Sequence, residues 1–195
     1  LMAAHKHTIG VVGTGTMGQG IAQVAAQAGH EVVFQNRRQE SVDRGMKAIA
    51  KQLERLVANQ KLTESEKTET LDRIRGVVPL EEIKGCERVI ECAPEDHDLK
   101  RELLQKIDAI VSDEAIIATN TSSLSITKLA SYLKRPAHLV GLHFFNPVPM
   151  MKLVEVVRGM RTSDWTVAAV RGLAENFGKV PIDVKDSPGF VVNRV

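Results

Sequence analysis

The run Ile9-Gly-Val-Val-Gly-Thr-Gly-Thr-Met-Gly-Gln-Gly-Ile21 constrains this chain more than any other stretch. Ile9, Val11 and Val12 form an apolar run of the kind buried in a parallel sheet. Gly13, Gly15 and Gly18 then spell G-x-G-x-x-G, an apolar helix follows over Ile21 to Ala28, and a second strand follows over Glu31 to Gln35. In that setting each glycine has a physical task. Gly13 permits a tight turn, Gly15 lets the backbone approach a pyrophosphate, and Gly18 lets the helix pack close to the strand. Amides at the helix start, around Thr16 and Met17, would face the phosphates, where the helix dipole favours negative charge. A dinucleotide site is the expectation, and a glycine-rich turn without a ligand is the alternative.

The rest of the composition narrows the class. A chain of 195 residues suits one domain with a sizeable core. With 43% hydrophobic residues and a formal net charge of +2, neither disorder nor a nucleic-acid partner is indicated. No apolar run reaches the ~18 residues of a membrane span, and no signal-peptide pattern precedes the first strand. Cys86 and Cys92 read as buried thiols rather than a disulfide or metal pair, so the cytoplasm is the expected location. Residues 1–7 are expected to be a disordered leader or a cloning remnant, with no role for His5 or His7.

The second strand runs into Asn36-Arg37-Arg38. An acidic residue usually stands here in an NAD site to hold the adenine ribose, whereas a nearby arginine accommodates a 2′-phosphate. Asn36 can hydrogen-bond a ribose hydroxyl without adding charge, so NAD and NADP both stay open; Arg37 and Arg38 could equally be solvated. Next, Val42, Met46, Ile49, Leu53 and Leu56 recur at helical spacing, with Lys47, Lys51 and Arg55 on another face. Thr63-x-x-Glu66 is a capping box for a second helix, expected through Ile74. This hairpin, about 40–76, exceeds what a Rossmann crossover needs and reads as an inserted arm. Its basic row suits a phosphorylated ligand or, equally, solvent.

Strands are then predicted over Arg88–Ala93, Ala115–Thr119, Leu139–Leu142, Leu153–Val157 and Val180–Val184. Between them lie helices carrying Leu99 to Ile110, Ile126 to Leu133 (capped by Ser125) and Val167 to Phe177 (capped by Ser163). Such alternation is a Rossmann-type, doubly wound, mostly parallel α/β sheet over residues 8–190, with ligands outside the strands' carboxyl ends. Val191 to Val195 reads as the first turn of a further helix.

Glu95, Asn120, Ser122, His143 and Asn146 gather at predicted strand ends. His143 is the natural acid/base, since an imidazole titrates near neutrality. Glu155, on a neighbouring strand, could orient the ring and stabilise imidazolium. No nucleophile elbow surrounds Ser122. A dinucleotide beside an acid/base histidine makes alcohol–ketone hydride transfer the simplest chemistry.

Five segments now carry a resemblance: Gly13-x-Gly15-x-x-Gly18, Asn120-Thr-Ser-Ser-Leu124, Gly141-Leu-His-Phe-Phe-Asn-Pro147, Met151-Lys-Leu-Val-Glu155 and Asp186-Ser-Pro-Gly-Phe-x-Val-Asn-Arg194. In content and order they resemble the L-3-hydroxyacyl-CoA dehydrogenases, along essentially the whole chain and in the N-terminal nucleotide-binding domain of that family. The resemblance implies a nicotinamide cofactor, no metal, an acyl-CoA substrate, and dimerisation through a helical C-terminal domain that this chain lacks. It implies that His143 is the base that takes the 3-hydroxyl proton and that Glu155 orients it. Ser122 and Asn193 would face the substrate, Asn146 would shape the site, and Glu95 and Lys100 would lie near the nicotinamide. Lys61 resembles a CoA-binding lysine of the arm. Asn36 departs from the family's usual aspartate. Two other readings remain: a different Rossmann hydroxy-acid dehydrogenase, which leaves the arm unexplained, and a nucleotide-binding protein without turnover.

Overall fold

The computed structural model describes residues 5–187. Asn193 and the helix start expected at residues 191–195 lie outside them. Strands are β1 Thr8–Val12, β2 Glu31–Gln35, β3 Ile74–Val77, β4 Arg88–Glu91, β5 Ile116–Thr119, β6 Leu139–Phe144, β7 Leu153–Arg158 and β8 Val180–Lys185. Helices are α1 Thr16–Gln27, α2 Gln39–Ala58, α3 Glu64–Asp72, α4 His97–Ile110, α5 Ile126–Ala130 and α6 Asp164–Asn176. The eight strands form one sheet in the order β3-β2-β1-β4-β5-β6-β7-β8. Pairing is parallel throughout except between β6 and β7. The sheet is thus doubly wound and mostly parallel, as expected.

Both faces of the sheet are buried, which is why its strands read as nearly continuous apolar runs. Side chains alternate across it: Ile9 and Val11 join Ile21, Phe34, Leu53 and Phe177 on one face, beneath α1, α2 and α6. Val12, Val33 and Val89 join Leu104, Ile107 and Leu129 on the other, beneath α4 and α5.

Three expectations are corrected. First, the helix expected through Ile74 stops at Asp72, and Ile74–Val77 is a strand paired with β2. The capping box forms as expected, Thr63 accepting from the Glu66 amide and Glu66 from the Thr63 amide. The arm is therefore the crossover from β2 to β3, with a second helix beyond the one such a crossover needs. Second, the helix expected to reach Leu133 ends at Ala130. Its start is held twice, by Ser125 and by Asp186, whose carboxylate accepts from the amides of Ile126 and Thr127 at 3.0 and 2.7 Å. Third, His7 is not idle: its Nδ1 lies 2.9 Å from Glu87 and its amide donates to Nδ1 of His30 at 3.0 Å.

That last contact fixes the state of His30. Its ring is buried, Nδ1 accepts from His7, and Nε2 donates to Asn176 at 2.6 Å. Burial disfavours the cation, and protonating Nδ1 would also set one N–H against another, so the His30 pKa lies below its ordinary value. A depressed folded pKa contributes stability that is complete above the unfolded value and is lost as the pH falls from there through the folded one. Urea unfolding is expected to show stability dropping from about pH 7.5 to about pH 5, with a shallower drop in His30→Gln. Equal slopes in the two proteins would refute this role.

Candidate active site

The glycine loop joins β1 to α1 at the point where the sheet order reverses between β1 and β4. Gly13 has φ 114°, and a Cβ there would lie 2.7 Å from the Cys92 carbonyl oxygen. A Cβ on Gly18 would lie 1.8 Å from the Gly13 oxygen. Around Gly15, by contrast, nothing stands within 4 Å of the Cβ position, and Gly15 and Thr16 are exposed while Met17 is half-buried. The loop is tight at both ends and open in the middle, and no side chain caps α1. Backbone amides at a helix start above an open cradle are the donors a pyrophosphate requires, so the residues fit a dinucleotide.

Gly13 also donates to the carbonyl of Gln35 at 2.9 Å, which ties this loop to the end of β2. Asn36 follows directly. Its Nδ2 donates to Thr14 Oγ1 at 3.0 Å, while Thr14 spends its hydroxyl proton on the Ser41 carbonyl, also at 3.0 Å. Its Oδ1 accepts from the Arg38 amide at 3.2 Å. Arg37 and Arg38 are exposed, and neither forms an ion pair among the described residues. Thr14 is a member of this group that pattern reading passed over, because its partners lie 22 and 27 residues away.

On the other side of the switch point stand His143 and Glu155. Only eight residues separate β6 from β7, too few for a parallel crossover, so the chain turns straight back and the strands pair antiparallel. The register sets His143 directly opposite Glu155, so both side chains leave the same face. His143 Nδ1 lies 2.9 Å from Glu155 Oε1, with side chains 7% and 0% exposed. The Phe145 ring lies 4.6 Å from the imidazole. His143 lies within β6 rather than past its end, as the sequence had suggested. The loop after it is pinned by buried Lys179, whose Nζ donates to the carbonyls of Val148 and Met151. Sequence reading assigned nothing to this lysine; its only signal is a charge inside an apolar turn.

Asn120 Oδ1 accepts from the Phe144 amide at 2.9 Å, holding the end of β5 against β6 beside His143. Glu95 accepts from the Thr121 hydroxyl and from the Ser122 amide, the latter at 3.2 Å, which ties the loop after β4 to the loop after β5. Asn146 is exposed at the head of the Pro147 turn.

Lys100 anchors a buried polar network at the end of β4. It is fully buried, and its ammonium donates to both Glu91 oxygens at 2.8 and 3.1 Å and to the Ala93 carbonyl at 2.9 Å. Three donors are matched by three acceptors. Glu91 further accepts from the Thr119 hydroxyl at 2.6 Å and from the Ala93 amide. This network ties the ends of β4 and β5 together.

On the arm, Lys47, Lys51 and Arg55 are exposed along α2, and Lys61 is exposed in the α2–α3 turn. Lys61 borders a shallow depression of about 390 Å³ lined also by Val57, Leu62 and Glu66. Both cysteines are free; burial pushes the Cys86 thiol up to about 12, and that of Cys92 higher still. Among the described residues no helix is long and apolar enough to cross a membrane.

Comparison with known proteins now bears on these features. Residues 8–187 match the family described as 3-hydroxyacyl-CoA dehydrogenase, NAD binding domain. The chain is 44% identical over 187 residues to 3-hydroxybutyryl-CoA dehydrogenase of Clostridioides difficile, covering 96% of this chain and 66% of that protein. It is 43% identical to a fatty acid oxidation complex subunit alpha of Psychrobacter, covering 95% of this chain and 26% of that protein. The crystal structure of (S)-3-hydroxybutyryl-CoA dehydrogenase from Ralstonia eutropha superposes with a TM-score of 0.96 at 50% identity, covering 98% of this chain and 68% of that one. The chain thus spans about two thirds of the length of the dehydrogenases it matches.

Proposed function

Since the chain belongs to the 3-hydroxyacyl-CoA dehydrogenase family and matches its NAD-binding domain, we propose that the protein interconverts (S)-3-hydroxyacyl-CoA and 3-oxoacyl-CoA. The observation that carries this reading is the His143–Glu155 pair, buried and 2.9 Å apart, on the far side of the switch point from the glycine cradle. With Nδ1 held by Glu155, proton exchange with substrate runs through Nε2. In the oxidative direction neutral His143 accepts the 3-hydroxyl proton, and the Glu155 carboxylate offsets the charge that develops on the ring. A bound nicotinamide dinucleotide would supply the acceptor for the C3 hydride. Gly13, Gly15, Thr16, Met17 and Gly18 would cradle its pyrophosphate. Asn36 and Arg37 would lie at its adenosine end, and Glu95, Asn120 and Asn146 would lie around the reacting end, with Ser122 on the substrate's oxygens. Lys61 and the basic face of α2 suit the anionic groups of CoA. Asn193, which the family resemblance would set toward the substrate, lies outside the described residues. The relatives' names support a CoA thioester over a free hydroxy acid, and relatives half as long again support completion of the substrate site, and dimerisation, by further chain.

The test supplies the full-length protein with reduced nucleotide carrying deuterium at the transferable nicotinamide position, and with acetoacetyl-CoA or free acetoacetate. Reduction of the thioester alone is the expected result. Reduction of acetoacetate as readily would support a hydroxy-acid dehydrogenase instead.

A further inference from the structure

We propose that the dinucleotide this chain prefers is NADP(H), with its adenosine 2′-phosphate held by Arg37 and Arg38 on a turn that Asn36 builds. This inference rests on the dinucleotide reading above and sharpens it. Three observations carry it.

The first is the use to which Asn36 is put. An acid at this position in an NAD site faces the ribose and accepts from its hydroxyls. Here the carboxamide is turned inward and engaged at both ends, donating to Thr14 Oγ1 and accepting from the Arg38 amide. The Oδ1 contact to the amide two residues on is an Asx-type turn, which fixes the backbone direction of Arg37 and Arg38. The second is that an aspartate could not take this place unchanged. The Thr14 hydroxyl proton already points to Ser41, so Thr14 offers Asn36 only a lone pair. A carboxylate there would face an acceptor with an acceptor. Thr14, between two glycines of the cradle, and Asn36 thus form a matched pair that keeps negative charge out of this corner.

The third is the charge left in the corner. Both guanidiniums are exposed and outside any ion pair among the described residues, although Glu40 lies two residues beyond Arg38. Arg38 is also the residue before α2, a 20-residue helix whose start no side chain caps. The Gly13–Gln35 bond sets this turn against the cradle, at the place where an adenosine ribose would lie. A phosphate dianion would meet two guanidiniums and a neutral amide there. For NADH the same corner supplies no carboxylate to receive the ribose hydroxyls.

Binding decides it without reference to turnover. Full-length protein is titrated with NADPH and with NADH, followed by nicotinamide fluorescence, and each complex is displaced with 2′,5′-ADP or 5′-AMP. Tighter binding of NADPH by roughly tenfold or more is expected, with 2′,5′-ADP the better competitor. The Arg37→Ala/Arg38→Ala variant should bring NADPH down toward the affinity of NADH, with a much smaller loss for NADH. Asn36→Asp should weaken NADPH. Tighter binding of NADH to the unaltered protein, or equal loss of both nucleotides in the arginine variant, overturns the inference while leaving the dinucleotide reading intact. Binding of neither nucleotide overturns both.

Discussion

His143→Gln is expected to lower kcat of the full-length protein by roughly 10²–10⁴-fold, the usual contribution of a positioned general acid/base. Nucleotide affinity should stay nearly unchanged. The two effects separate because the histidine sits in β6, across the switch point from the glycine cradle. Glutamine can still donate to Glu155, so the buried carboxylate keeps a partner and the fold keeps its β6–β7 pairing. Retained binding of the reduced nucleotide reports that the domain is intact, which makes the kinetic loss interpretable. Turnover within a factor of about three of the unaltered protein would remove His143 from the chemistry.

The second large effect falls on stability. Lys100→Met should cost about 3–5 kcal/mol, because it leaves the Glu91 carboxylate buried without its counter-charge. The side chains are 1% and 0% exposed. Breaking one member of such a pair exceeds the worth of the pair itself, since the other charge keeps its desolvation penalty. Glu91→Gln added to Lys100→Met should therefore recover part of the loss, as a carboxamide is buried far more cheaply than a carboxylate. The double variant keeps one carbonyl oxygen for the Ala93 amide, and its NH2 can donate to the Thr119 hydroxyl oxygen. Urea unfolding of the four proteins of the cycle measures the coupling. A loss below about 1 kcal/mol in Lys100→Met, or no recovery in the double variant, would mean that the network does not hold the β4 and β5 ends together.

Much of this arrangement is visible in the sequence, for reasons that can be traced. β1, the glycine loop and β2 are local, and each declares itself through chain-neighbour physics. The capping residues Thr63, Ser125 and Ser163 act within three residues, so they too are legible. The twelve-residue spacing of His143 and Glu155 suggests a pair, and the shortness of the intervening turn is what makes the register bring them face to face. β3 was missed because Ile74-Arg-Gly-Val77 is brief, exposes its middle two residues and continues a helical pattern up to Ile74. A strand with one neighbour at the sheet's edge shows little of the apolar run that marks the others. The Glu91 partner of Lys100 had a signal in the sequence: with Leu104 and Ile107 the lysine lies on the buried stripe of α4, a position where a charge implies a buried partner. The Thr14–Asn36–Arg38 turn was beyond reach, because which end of a carboxamide faces which hydroxyl depends on contacts between distant segments.

The most direct test of the central claim is the path of the deuterium. Full-length protein is mixed with acetoacetyl-CoA and reduced nucleotide labelled at the transferable nicotinamide position, and the product is examined by mass spectrometry. Label at C3 of (S)-3-hydroxybutyryl-CoA, appearing roughly 10²–10⁴-fold more slowly when His143→Gln replaces the unaltered protein, is the expected result. Label retained in the nucleotide, with binding intact and no hydroxyacyl product, would contradict it and leave a nucleotide-binding protein without this chemistry.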